Sequence, residues 1–176
     1  MISYYDGAPA NQNLKVLSCG NNDCSAGNTI TTLDSAGNVG QYTSITVGND
    51  GLGLISYYSV TGGVLKVAHC GNDTCSFGTN YFLDGGSNYS SISVGADGLG
   101  IIGLWNGGSV SIDHCIDTAC SAHRAKDFDC CNTGSHISLT IGTDGLPLLA
   151  YQNSLSLDLK VAHCPNLYCN PNFRRR

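Results

Sequence analysis

Apolar and polar residues alternate along this chain in stretches of five or six, and each alternation stops at a cluster of Gly, Asn and Asp. In "YTSITV" Ile45 and Val47 fall on one face at period two, and in "YSSISV" Ile92 and Val94 do the same, the pattern of short half-buried strands. An Asp-Gly turn follows each such strand: "NDGLG" holds Asp50-Gly51, "ADGLG" holds Asp97-Gly98 and "TDGLP" holds Asp144-Gly145. A turn of this kind between alternating segments predicts a hairpin. A second strand such as "LISYY", a third such as "LKVAHC" and a weaker polar fourth such as "NTITTL" or "NYFL" complete the unit.

The Asp-Gly turns recur every 47 residues, and "LKVAHCGNDTC" from Leu65 and "LKVAHCPNLYC" from Leu159 stand 94 apart, twice that period. The chain therefore divides into four copies: 1–40, which begins at "ISYY" and lacks a first strand; 41–87; 88–134, with a variant third strand and an irregular stretch "SAHRAKDFDCCNTGS"; and 135–176, which is truncated soon after its third strand. The predicted fold is all-β, one repeat domain of about four four-stranded antiparallel propeller-like blades, incomplete at both ends. A solenoid or fibre and a β-sandwich are the alternatives, and a sandwich gives no reason for near-identical units.

Composition agrees. The 176 residues can bury a core, and 23 Gly with 4 Pro and 9 Tyr suit short strands and tight turns. All 13 acidic residues are Asp, a turn residue, and the lack of Glu argues against helices and removes Glu as a general acid. A net charge of -5, with three of the eight basic residues at 174–176, leaves no basic stripe for nucleic acid. No run approaches the roughly 18 apolar residues of a membrane span. Ten cysteines point to an oxidising compartment, extracellular or at the cell surface, although "MISYYDGAPA" lacks the pattern of a signal peptide.

The string "DGLGLISYYSVTGGVLKVAHCGNDTC" resembles the tandem blade repeats of large bacterial extracellular or surface β-propeller proteins, related in shape to the sialidase-like superfold. The resemblance covers nearly the whole chain and implies a propeller. It implies no particular activity, since the fold hosts enzymes and binders alike.

Four cysteine pairs share one spacing: Cys19 and Cys24, Cys70 and Cys75, Cys115 and Cys120, Cys164 and Cys169. Each brackets a four-residue turn between strands three and four, and a hairpin brings its flanks to about 5 Å, within disulfide reach. His69, His114 and His163 each precede the first cysteine of a pair. Strand neighbours face opposite sides, however, and copy one keeps both cysteines with Ser18 in the histidine's place, so a His-Cys metal site is not expected. No cysteine pair is followed directly by His, as haem attachment requires. No cofactor is expected. Cys130 and Cys131 break the pattern, as a vicinal disulfide, an intermolecular link or free thiols.

In a propeller the turns after strands two and four share one rim, and the Asp-Gly and Cys-bracketed turns share the other. The first rim is expected to carry Tyr4, Tyr5, Asp6, Tyr58, Trp105 and Tyr151, with Asp34, Tyr42, Asp84 and Tyr89 nearby, and the candidate binding residues are Tyr5, Asp6, Tyr42, Tyr58, Tyr89, Trp105 and Tyr151. Aromatic faces beside short polar groups suit sugars, and strand packing is the competing explanation of the tyrosines. A sialidase-like arginine cluster is missing, since Arg124 alone lies within the repeats. His123, Asp127 and Asp129 are the one singular cluster of titratable residues. "NDT" at Asn72 and "NYS" at Asn88 fit glycosylation acceptors. The expected role is a non-catalytic recognition or adhesion surface for a glycan or surface protein. The alternative is a structural subunit that self-associates through its unfinished blade edges into a filament or ring. A hydrolase comes third.

Overall fold

The computed structural model describes residues 1–85, 88–129 and 133–170, and among them there are fourteen strands and no helix. They form four antiparallel sheets, each a meander in chain order. The first is β1 (Ile2–Asp6), β2 (Asn13–Ser18) and β3 (Thr29–Asp34), and the second is β4 (Val39–Val47), β5 (Gly53–Ser59), β6 (Val64–Cys70) and β7 (Gly78–Gly85). The third is β8 (Ser90–Val94), β9 (Gly100–Asn106), β10 (Ser109–Cys115) and β11 (His123–Asp129), and the fourth is β12 (Thr133–Ile141), β13 (Pro147–Asn153) and β14 (Leu159–His163). These are propeller-like blades, the first and last with three strands each among the described residues.

One expectation changes. Residues 123–129, read as irregular sequence, form β11, which pairs along β10 from Cys115–His123 to Val110–Asp129 with one bulge. Most of β11 is exposed, so the strand needs no apolar alternation, and its charges protect an outer edge from unwanted pairing. Cys130 and Cys131 lie outside the described residues.

Each Asp-Gly turn is a three-residue hairpin loop. Gly51 N–H donates to Gly48 O, Gly48 N–H donates to Leu52 O, and Gly51 has φ +79°, a left-handed position that only glycine adopts without strain. The same bonds recur at 95–99 and 142–146. The four cysteine pairs are disulfides with Cα–Cα separations of 4.6–4.8 Å. Inside each loop an Asx side chain two residues past the first cysteine caps the turn: Oδ1 of Asn21, Asn72, Asp117 and Asn166 accepts the N–H of Ser25, Ser76, Ser121 and Asn170.

Blades meet through their first strands, β4 against β8 and β8 against β12, with β1 against β4. Hydroxyls link them at the repeat period: Ile92 N–H donates to Ser44 Oγ and Leu139 N–H to Ser91 Oγ, at 3.2 and 3.0 Å. Among the described residues the arc is open, with no strand of the first sheet paired to one of the fourth.

The core lies between blades, in three layers. Leu14 and Val16 pack on Ile55, Tyr57, Ala68 and the Cys70–Cys75 bridge. Leu54, Leu65 and Val67 pack on Ile102, Leu104 and the Cys115–Cys120 bridge. Ile101, Val110 and Ile112 pack on Leu149, Tyr151 and the Cys164–Cys169 bridge. Every blade is thus two-faced, because strand periodicity sends Leu65 and Val67 to one side and Lys66, Ala68 and Cys70 to the other. The approach is close enough that a Cβ on Gly100 would stand 2.7 Å from Leu54 Cδ2 and 2.9 Å from Cys115 Sγ.

Candidate functional site

On the rim of Asp-Gly and cysteine loops, each histidine has a structural partner. His69 Nε2 lies 2.8 Å from Asp50 Oδ2, His114 Nε2 3.0 Å from Asp97 Oδ2, and His163 Nε2 2.8 Å from Asp144 Oδ2. The other carboxylate oxygen of each aspartate accepts the N–H of Leu52, Leu99 or Leu146 inside the turn. The histidine therefore ties strand three to the strand-one hairpin of its own blade. In copy one the histidine's position is Ser18. Burial works to raise the Asp50 pKa, but the Leu52 N–H and His69 outweigh it and hold the carboxyl below its ordinary value.

A second repeated tie crosses between blades. Asp34, at the end of β3, accepts the Tyr57 hydroxyl at 2.7 Å and the Lys66 ammonium, both from the next blade. Burial pushes the Asp34 carboxyl up, yet Lys66, the Ala36 N–H and Tyr57 together leave it lowered. Burial and the charge of Asp34 push the Tyr57 hydroxyl far up, so it remains a donor. Asp129, at the end of β11, likewise accepts the Tyr151 hydroxyl at 2.7 Å and Lys160 at 3.0 Å. Tyr151 is therefore a buried interblade tie, not a rim residue, and Gln152 occupies the register of Tyr58. In blade one the corresponding Lys15 bonds its own blade's Asp6, which also accepts Asn11 and Ala8 N–H, so Asp6 is engaged locally.

The cluster of His123, Asp127 and Asp129 does not converge. His123 Nε2 is 3.8 Å from Asp113, Asp127 accepts the Ser111 hydroxyl, and Asp129 is used as above. Among the described residues no three His, Cys or Asp side chains gather as metal ligands. Asn72 donates to Ser76 Oγ at 2.7 Å, so the amide of this glycosylation triplet is engaged within its loop.

The opposite rim keeps the remaining predicted aromatics, and two of them join a residue that sequence reasoning missed. Tyr42 and Tyr89 have ring centroids 5.0 Å apart, and His136 continues the line at 4.8 Å from Tyr89. The three stand 47 residues apart, one per blade, at or just before the start of the regular first-strand pairing. Tyr42 and His136 have φ of 52° and 54°, a costly conformation for side chains of this size. Both fall at breaks in strand register, between Gln41 and Ser44 and between Ser135 and Ser138. Bulges of this kind re-aim side chains. Tyr42 and His136 are exposed and Tyr89 is half-buried. His136 is the third member of the 47-residue period, but a histidine in a series of tyrosines carries no local signal of its own.

Around this ladder the described contacts are made by amides and hydroxyls. Tyr58 pairs opposite Gln41, and Tyr5 Oη donates to Asn38 Oδ1 at 3.0 Å, with Gln41 also on Asn38. Thr43 donates to Ser3, and Ser135 donates to Gln152. Trp105 N–H bonds Tyr89 O through the backbone, while the indole packs half-buried against blade four and its Nε1 has no acceptor among the described residues. Asp84 is the last residue but one of β7, and its side chain lies outside the described residues.

No family model matches the chain, and no curated protein does. A solved structure of a protein of unknown function from Dyadobacter fermentans DSM 18053 is similar in fold, with a TM-score of 0.56 at 13% identity. The similarity covers 78% of this chain and 42% of that one, so the chain spans less than half its length. At that identity the likeness speaks for the fold alone. The four disulfides call for an oxidising, non-cytoplasmic location, and among the described residues no helix is long and apolar enough to cross a membrane.

Proposed function

We propose that this is a non-catalytic, extracellular recognition protein that holds neutral glycans along the Tyr42–Tyr89–His136 ladder. The observation that carries the reading is an aromatic line, one ring from each of blades two, three and four, exposed at Tyr42 and His136 where two strained bulges present it. Strain of this kind costs about 1–3 kcal/mol per residue and persists where the surroundings enforce it, commonly at ligand sites. Ring faces stack on the apolar faces of sugars, and Asn38, Gln41 and the serine and threonine hydroxyls supply short polar groups without a net charge.

The test is titration calorimetry with neutral oligosaccharides from a glycan array. Tyr42→Ala is expected to weaken binding at least about tenfold, the worth of one stacking ring. A chain that binds no glycan, or one whose affinity is unchanged in Tyr42→Ala, overturns the assignment. A second reading, a structural subunit that self-associates, is favoured by the apolar side chains Leu159 and Val161 exposed on the last blade.

A further inference from the structure

We infer that the outer face of the fourth blade docks onto the outer face of the first blade of a second copy of this chain, head to tail. This deepens the subunit reading above and rests on it. At every internal junction one blade offers the pair Leu14 and Val16, Leu65 and Val67, or Val110 and Ile112, and the next blade receives it on an apolar residue of strand two and the disulfide of its cysteine loop. The fourth blade carries the same pair, Leu159 and Val161, at the same register.

There the pair is 75% and 63% exposed, whereas Leu65 and Val67 are fully buried. Leu148, at the position of Leu54, borders an open groove of about 390 Å³ that it shares with Gly142, Asp144 and His163. The receiving surface is equally complete on the first blade. Ile2, Tyr4 and Leu17 stand where Ile55, Tyr57 and Ala68 receive Leu14 and Val16, and the Cys19–Cys24 bridge stands where Cys70–Cys75 does. Ile2 is 51% exposed, against 0% for Ile55. Lys15 is neutralised by Asp6 of its own blade, so this face presents no unpaired cation to a partner.

The two faces thus belong to one type of contact, already made three times within the chain. Contact between unlike faces is heterologous, so it builds a ring where the rotation closes and an open array where it does not.

Sedimentation velocity on the full chain reads the outcome. The wild-type chain is expected at twice 18.4 kDa or more. Leu159→Asp with Val161→Asp, and separately Ile2→Asp, are expected to weaken association at least about 100-fold while leaving the far-ultraviolet spectrum unchanged. Each variant keeps one good face, so an equimolar mixture of the two is expected to recover a dimer.

A wild-type chain that stays monomeric at its highest soluble concentration overturns both this contact and the subunit reading. Association that survives in both variants overturns this contact and leaves self-association standing. Variants that lose association separately and fail to recover it when mixed overturn the head-to-tail arrangement.

Discussion

Asp34 and Asp129 make the same tie in two environments, and the difference predicts two stabilities. The Asp34 and Lys66 side chains are 5% and 8% exposed, whereas Asp129 and Lys160 are 26% and 39% exposed. Asp34→Ala leaves the Lys66 ammonium without its anion inside a blade junction. The rings of Phe82 and Tyr57, at 5.1 and 5.6 Å from the nitrogen, attract it but do not replace a carboxylate. Stranding one member of a buried pair costs about 3–5 kcal/mol, out of a total of about 5–15 for an ordinary domain. Asp129→Ala leaves an ammonium that water reaches and one hydroxyl bond to replace, a loss of about 1–2 kcal/mol. In Asp34→Ala/Lys66→Met no charge is left behind, and much of the loss is expected to return. Urea unfolding followed by the fluorescence of the one tryptophan, Trp105, measures all three variants. Equal losses in Asp34→Ala and Asp129→Ala, or a double variant as weak as Asp34→Ala, would refute the argument that burial sets the cost.

Two more outcomes follow from the same junctions. Leu65→Ala removes a fully buried side chain from the layer between blades two and three and is expected to cost about 2–5 kcal/mol by the same unfolding assay. The acid limb is expected to be steep and low: Asp6, Asp34, Asp50, Asp129 and Asp144 all have pKa values lowered in the folded protein. Their contribution is therefore present above the unfolded aspartate value of about 3.9 and is lost as pH falls below it through the folded values. With no glutamate to titrate earlier, thermal melts should change little on this account until the pH drops to about 4.

What could be read before any coordinates was what short-range chemistry controls. The three-residue Asp-Gly loops, the Asx-capped cysteine loops and the strands between them each close over a few residues, so their signals sit side by side in the chain. The strand β11 escaped because an exposed edge carries charges and not alternation. The partner of His69 is 19 residues away, beyond the reach of a local pattern. Tyr151 was placed on the wrong surface because a one-residue shift in register exchanges the two sides of a strand. Aligned on the strand pairs it matches Tyr57, and its hydroxyl goes to a residue of the preceding blade.

The sequence by itself determined most of the blade: its period, its alternating strands, its turns and its disulfides, all of them local in the chain. Tertiary structure decided which side of each strand meets which neighbour. The core of this protein lies between blades, and a residue such as Asp34, Tyr42 or Val161 takes its role from a partner a blade away, or from the lack of one among the described residues.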